Sequence, residues 1–286
     1  MGHLSEATET QDSFIQKERV ALQFSRAADR YDSYASVQLQ MAEQLIRWLT
    51  VQATANPPTL PPVDGSRNLV DLGCGTGALL AQLEALLKDH WEQHWELHGA
   101  DLAEGMVRTA SKHTSAQLTC CDLESTPYSE QFFDVVVSNA TLQWCDAASA
   151  FAEVFRLLKP GGLFVFSTLG PETLREWREA LNSIGMPQQR VHRFSETDAV
   201  TEMLETQGFG IEKMDRAFLL DEYPSPLEMV RSVRAIGASN ANIGPGESYF
   251  GRSQYRNFLN VLDAQSDTQG CSATYEALWF QCRRAG

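Results

Sequence analysis

Two apolar periods divide the chain. From Val20 to Leu49 the apolar positions fall at steps of three and four: Val20, Phe24, Ala27, Ala28 and Tyr31, then Leu39, Ala42, Leu45, Ile46 and Leu49. That spacing predicts amphipathic helices. The tract Asn56-Pro57-Pro58-Thr59-Leu60-Pro61-Pro62 stops them and predicts a surface linker. From residue 68 the pattern changes to short apolar runs at 68–72, 96–100, 117–121, 132–138 and 163–168. Helical periods at 78–88, 103–112 and 147–158 separate them. Strands alternating with helices of about 10–15 residues predict a parallel, doubly wound sheet. After Pro171 helices are predicted at 172–183, 196–207, 226–238 and 253–262, with strands at 211–219 and 273–283. The last strand is expected to run antiparallel. The expectation is an α/β fold with a mostly parallel seven-stranded sheet, N-terminal helices and a helical lid. Residues 1–18, polar and rich in Glu, Thr and Gln, predict a disordered lead-in. Residues 19–62 hold the first helices and the linker, and 63–286 the main domain, with lid insertions at about 171–208 and 224–265.

Charge narrows the function classes. The 286 residues hold 23 Lys+Arg against 37 Asp+Glu, a formal charge of −14. That argues against a general affinity for nucleic acid, which needs a basic face. No run of about 18 apolar residues predicts a membrane-spanning helix. Residues 1–11 lack the apolar core of a secretory signal. The six cysteines, Cys74, Cys120, Cys121, Cys145, Cys271 and Cys282, form no Cys-x-x-Cys pair. They read as reduced thiols of a cytoplasmic protein, with no zinc site. His90, His94 and His98 fall at steps of four, but His98 belongs to the second predicted strand, which breaks a helical metal face.

The candidate chemistry begins at Val70-Asp71-Leu72-Gly73-Cys74-Gly75-Thr76-Gly77, where a strand turns into a helix. Glycines there allow a tight turn and close approach of a ligand to the backbone. The spacing is Gly-x-Gly-x-Gly, unlike the pyrophosphate fingerprint, and no Gly-Lys-Ser/Thr follows. Asp101 ends the next strand, where a carboxylate can accept both hydroxyls of a ribose. Asp122, followed by Leu123, ends the third strand and could accept from an adenine amino group. Asn139 ends the fourth, beside the turn of the first. All lie at carboxyl ends of strands, where open α/β sheets bind ligands. Each acid could instead cap the helix that follows it.

This set resembles the class I S-adenosylmethionine-dependent methyltransferases, over roughly residues 66–170. The resemblance implies a Rossmann-like methyltransferase fold and S-adenosylmethionine as cofactor, leaving S-adenosylhomocysteine. It assigns Gly73, Gly75 and Gly77 to the methionine part, Asp101 to the ribose, and Asp122 and Leu123 to the adenine. Asp71 would orient the turn or meet the cofactor's amino group. Leu102 and Met106 would pack on the adenosine or simply belong to the core.

Further motifs resemble the malonyl-[acyl-carrier protein] O-methyltransferases of biotin synthesis. They are Phe24-Ser25-Arg26-Ala27-Ala28-Asp29-Arg30-Tyr31-Asp32-Ser33-Tyr34-Ala35, Asn139-Ala140-Thr141-Leu142-Gln143-Trp144, Phe166 to Leu174, His192-Arg193-Phe194 and Val230 to Ala238. The resemblance implies methylation of the free carboxylate of a malonyl thioester on an acyl carrier protein, priming pimeloyl synthesis. A carboxylate is ionised at neutral pH and needs no general base, so no catalytic dyad is expected. Arginine suits its recognition; Arg193, Arg231 and Arg234 are candidates, with Arg231 preferred. Tyr31 is expected to gate the methyl donor and Phe194 to line the acyl pocket. Arg231, Arg234, Arg252 and Arg256 could form a basic patch for the acidic carrier. Competing readings are a methyltransferase for another small acid or quinone-pathway substrate, a non-enzymatic binding subunit, and a nicotinamide-dependent oxidoreductase.

Overall fold

The structure of the chain, a computed structural model, describes residues 17–55, 60–61, 65–90, 94–186, 191–236, 251–266 and 270–286. Helix α1 (17–27) runs through a 3-10 turn, Ala28–Ser33, to α2 (Ser36–Ala55). The next elements are β1 (Arg67–Leu72), α3 (Ala78–His90), β2 (Trp95–Asp101), α4 (Glu104–Ala110), β3 (Gln117–Cys120) and β4 (Phe133–Asn139). A 3-10 turn, Leu142–Trp144, leads to α5 (Ala147–Leu157) and β5 (Leu158–Leu169). After these come α6 (Arg175–Ser183), α7 (Thr197–Gln207), β6 (Phe209–Tyr223), α8 (Pro226–Ala235), α9 (Arg252–Ala264) and β7 (Cys271–Arg284).

The seven strands form one sheet in the order β3-β2-β1-β4-β5-β7-β6. All neighbours are parallel except at β7, which runs antiparallel to both β5 and β6. The central strands read as continuous apolar runs because both faces are covered; in β4 only Asn139 escapes full burial. On one face lie α2 and α3 with α6, α8 and α9, around Met41, Leu45, Trp48, Leu69, Val135, Val165 and Phe258. On the other, α5 and α7 pack through Phe151, Val154, Leu157, Val200 and Leu204 on Val136, Phe164, Phe166 and Phe280. Local signals fix several boundaries. Asp146 caps α5 by accepting from the Ser149 amide at 2.9 Å. Gly208 ends α7 in the left-handed conformation, at φ 100°.

The expected lid tracts divide. Helix α7 is part of the layer beside α5, whereas α6, α8 and α9 cluster together on the opposite face. Helix α6 begins at Arg175 rather than at 172, because the preceding residues serve the sheet. The Glu172 amide donates to the Glu276 carboxylate at 2.7 Å, and the Glu276 amide to Thr173 Oγ1 at 3.1 Å. Strand β6 extends beyond its predicted 211–219 because it pairs with β7 along its length. The predicted lead-in lies outside the described residues except for 17 and 18, which open α1. His98 stands on β2, its ring edge-on to Tyr128, Phe132 and Phe133. No helix among the described residues is long and apolar enough to cross a membrane.

Candidate functional site

At the carboxyl ends of β1 to β4 the chain surrounds a solvent-open cavity. Its floor is the turn after β1. Gly73 has φ 79° and lies so close to Thr141 that an added Cβ would sit 2.2 Å from it. Gly75, at φ 54°, faces open space, so its backbone is available to a ligand. Gly77 is spent on packing: its φ is 82° and a Cβ would meet that of Ala110 at 3.0 Å. The turn is tethered from above, since Thr76 Oγ1 donates to Asp32 Oδ1 at 2.7 Å.

Asp101 braces the turn from β2. Its Oδ2 accepts from the Gly75 amide at 2.9 Å and its Oδ1 from the Ala103 amide at 2.8 Å. Burial pushes its pKa up, and those two bonds oppose the rise. Each oxygen keeps a lone pair for a further donor. Asp71 lies one layer deeper, 1% exposed, and does not line the cavity. Its Oδ1 has no hydrogen-bond partner. Burial, helped by the charge of Asp101, pushes its carboxyl up to about 8. Asp122 receives Lys17 Nζ at 2.5 Å, and the same amine lies 2.6 Å from Glu124. Lys17 is the one basic side chain lining the cavity among the described residues, against Asp101 and Asp122. The site therefore favours a cationic guest.

Helix α1 roofs the cavity through Lys17, Val20, Ala21 and Phe24. It can approach α4 closely because Gly105 has no side chain; a Cβ there would strike the backbone of Ser25. Rings continue the roof laterally. Tyr31 lies 6.2 Å from Phe24, Phe24 5.5 Å from Trp144, Trp144 4.9 Å from His192, and His192 5.1 Å from Phe194. Burial and the carboxylates of Asp101 and Asp32 push the Tyr31 hydroxyl up, so it stays protonated. Cys145 lines the cavity as well, and burial raises its thiol strongly; that of Cys121 is pushed up to about 11. As neutral thiols they are weak nucleophiles.

Of the sequence candidates, Tyr31, Gly73, Gly75, Asp101, Leu102, Met106, Asp122, Leu123 and Asn139 line this one cavity. Asn139 is also engaged structurally: Nδ2 donates to the Gln38 carbonyl at 2.9 Å and Oδ1 accepts from Ser167 Oγ at 2.7 Å. Asp71 and Gly77 support the turn from behind. Phe194 reaches the cavity only through His192 and Trp144, and Arg193 beside it is exposed. Arg231 lies on α8 away from the cavity, 63% exposed and paired with Glu228 at 2.6 Å. Lys17, Phe24, Thr141 and Trp144 line the cavity without having been singled out from sequence. The signal for the roof was present, since Lys17, Val20, Ala21 and Phe24 share one helical face.

A family model described as a methyltransferase domain matches residues 70–166. The chain is 34% identical over 277 residues to the biotin biosynthesis bifunctional protein BioHC of Saccharophagus degradans. That match covers 93% of this chain and 46% of the relative, so the chain spans about half its length. It is 34% identical over 235 residues to a malonyl-[acyl-carrier protein] O-methyltransferase of Halorhodospira halophila, covering 80% of this chain and 74% of that one. Among solved structures, the YcgJ protein of Bacillus subtilis shares the fold at a TM-score of 0.57 and 17% identity, over 85% of this chain and 99% of its own.

Proposed function

This chain belongs to the malonyl-[acyl-carrier protein] O-methyltransferase family, and from that premise we propose that it methylates the free carboxylate of a malonyl thioester carried by an acyl carrier protein. The methyl donor in this reading is S-adenosylmethionine. The methyl ester masks the charge, so the chain can be elongated toward the pimeloyl precursor of biotin. One observation carries the cofactor side: an acid-lined cavity joins an open glycine backbone to carboxylates at the ends of β2 and β3. The donor set fits a nucleoside with a cationic amino-acid end. Asp101 keeps acceptor capacity for a ribose diol, Asp122 for an exocyclic amine, and the acidic field suits the positive charge.

When bound, the cofactor supplies a methyl group on a sulfonium. The residues around it do the rest. Gly73 and Gly75 admit the amino-acid end, with the Asp71 carboxylate behind them. Leu102, Met106 and Leu123 flank the base. Asn139 braces the floor by tying β4 to α2 and β5. Tyr31, with Phe24 and Trp144, closes over the reacting end and excludes water. No side chain need remove a proton, because the substrate carboxylate is already ionised. Catalysis then rests on holding the carboxylate in line and close to the methyl group. The neutral Cys145 thiol does not compete for it.

On the substrate side, Arg193 suits carboxylate recognition better than Arg231. It adjoins the rings of His192 and Phe194, whereas the Arg231 guanidinium is engaged by Glu228 outside the cavity. Phe194 would line the acyl pocket. Arg231 fits instead with Arg234, Arg252 and Arg256 on α8 and α9, as a basic face for an acidic carrier. The experiment is mass spectrometry of malonyl-acyl carrier protein incubated with the chain and S-adenosylmethionine. A gain of one methylene on the malonyl group is expected. An unchanged malonyl carrier, with S-adenosylhomocysteine binding intact, would reject this substrate and leave another small acid. For Arg193→Leu, KM for the malonyl carrier should rise at unchanged cofactor affinity.

A further inference from the structure

Ala140 follows β4 and lines the cavity with φ at 50°, in the left-handed region that an L side chain rarely adopts. A residue stays there only where its surroundings overdetermine it. Both of its backbone groups are fastened. Its amide donates to the Ser167 carbonyl at 3.1 Å and lies 3.0 Å from Ser167 Oγ. Its carbonyl accepts from Gln143 Nε2 at 2.7 Å. The other end of the same side chain, Gln143 Oε1, faces the Thr168 hydroxyl on β5 at 3.5 Å. A primary amide suits this place. Nε2 only donates and Oε1 only accepts, so one side chain answers a carbonyl after β4 and a hydroxyl on β5. Gln143 does not itself line the cavity, whereas Thr141 and Trp144 do.

The backbone of Gln143 serves the opposite side. The His192 imidazole hydrogen-bonds it, and burial lowers the pKa of that ring, so it is neutral at pH 7. The ring packs 4.9 Å from Trp144 and 5.1 Å from Phe194. The 3-10 turn Leu142–Trp144 thus joins the cavity to the segment 192–194. We propose that Gln143 is a positioning residue for methyl transfer: by clamping Ala140 and Thr168 it fixes this turn, and with it the separation between the bound cofactor and the acyl-side residues Arg193 and Phe194. This rests on the malonyl methyl-transfer reading and adds to it a residue that touches neither reactant. Because that reaction uses no general base, its rate depends on alignment, and a displacement of about 1 Å can cost about a hundredfold. A loosened clamp lets Ala140 leave the left-handed region and moves Trp144 and His192 together.

The test uses two variants of similar size. Gln143→Glu keeps the acceptor and loses the donor; Gln143→Met keeps the length and loses both polar ends. Met guards against a misfolded Glu variant, and circular dichroism and melting verify each fold. The first readout is nuclear magnetic resonance of the His192 ring in the ligand-free chain, assigned by comparison with His192→Gln. Its proton shifts, displaced by the Trp144 and Phe194 rings, should move in both variants toward those of an exposed imidazole. With the malonyl carrier, kcat should fall about tenfold or more while KM for S-adenosylmethionine holds. S-Adenosylhomocysteine affinity should change far less than kcat, because Asp101 and the glycine turn are untouched. Unmoved His192 shifts overturn the proposal, and so do wild-type shifts and kcat in Gln143→Glu, which would mean that donation to Ala140 holds nothing. A loss of cofactor affinity as large as the loss of kcat overturns it too, since the residue would then act only on the cofactor floor. A wild-type chain inactive on the malonyl carrier rejects that substrate instead, and the His192 shifts then decide by themselves whether Gln143 holds the joint.

Discussion

Asp71 turns the cofactor assignment into a proton count. Its carboxyl is buried, its Oδ1 is unpartnered, and its pKa is pushed up to about 8. One pH unit below that value, at pH 7, about nine carboxyls in ten are protonated in the free protein. A ligand ammonium brought toward the turn favours the ionised form and draws the pKa back down. Binding at pH 7 should then release about 0.9 proton. Ionising the group at pH 7 costs on the order of 1 kcal/mol, so affinity should tighten about tenfold as the pH rises past 8, less whatever the ligand's own amine loses there. The assay is isothermal titration with S-adenosylhomocysteine at pH 7 in phosphate and in Tris, whose ionisation enthalpies differ. 5′-Methylthioadenosine, which lacks the amino-acid end, is the control. The apparent enthalpy should depend on buffer for the first ligand and not for the second, and Asp71→Asn should abolish the dependence. Equal enthalpies in both buffers for S-adenosylhomocysteine would refute the reasoning. Stability provides a second reading of the same group. A folded pKa of about 8 exceeds the unfolded value of about 3.9, so the folded state holds the extra proton between them. Stability attributable to Asp71 therefore falls as pH rises from about 4 to about 8, and Asp71→Asn should raise the melting temperature at pH 8 but not below pH 4.

Other changes probe the frame of the site. Gly73→Ala places a Cβ 2.2 Å from Thr141 at φ 79°, and should cost about 2–4 kcal/mol in urea unfolding, partly recovered by Thr141→Ala. Asp101→Ala removes the acceptor for the Gly75 and Ala103 amides and should weaken S-adenosylhomocysteine binding at least about tenfold by titration. Lys17→Ala takes away the contact that ties α1 to Asp122 and Glu124, so amide exchange across 17–27 should quicken; unchanged protection would mean that packing on Gly105 alone holds the helix. Asp134 joins Arg67 at 3.2 Å and Lys159 at 2.7 Å beneath the amino ends of β1 and β4, and Asp134→Ala should cost about 3–5 kcal/mol by denaturant titration.

The sheet was legible wherever both faces of a strand are buried, because an uninterrupted run such as Phe133 to Ser138 has one economical explanation. It was less legible at the ends of β6, where the strand predicted at 211–219 runs from Phe209 to Tyr223. Pairing with β7 extends it, and that partner lies far later in the chain. The start of α6 was misjudged for the same reason, since Glu172 and Thr173 answer to Glu276 rather than to their neighbours. In the candidate site, the strand-end residues named from sequence share one cavity because topology alone brings strand ends together. The roof was not, although Trp144 stands in a quoted motif. Lys17 was obscured by the polar composition before it, and only the fold reveals that its amine reaches Asp122. Arg231 illustrates the converse: a motif marks a segment, but whether a side chain faces the cavity depends on how its helix packs.

On the proposed reaction, a chain of charge −14 meets both a cationic cofactor and an acidic carrier, and has to distribute its charge by place. The cavity concentrates acid, with Asp101 and Asp122 in its lining, Asp71 a layer behind, and among the described residues a single lysine in its roof. Helices α8 and α9 expose Arg231, Arg234, Arg252 and Arg256 on the face of the sheet that also carries α2. These surfaces should respond differently to salt, because screening weakens exposed pairs first. Cofactor affinity, set in a partly enclosed cavity, should change little with ionic strength. On the proposed reaction, kcat/KM for the malonyl carrier should fall as salt rises, and Arg231→Glu should remove most of that dependence while sparing cofactor affinity. If the dependence survives that reversal of charge, the carrier docks elsewhere, and α8 loses its claim to the interface.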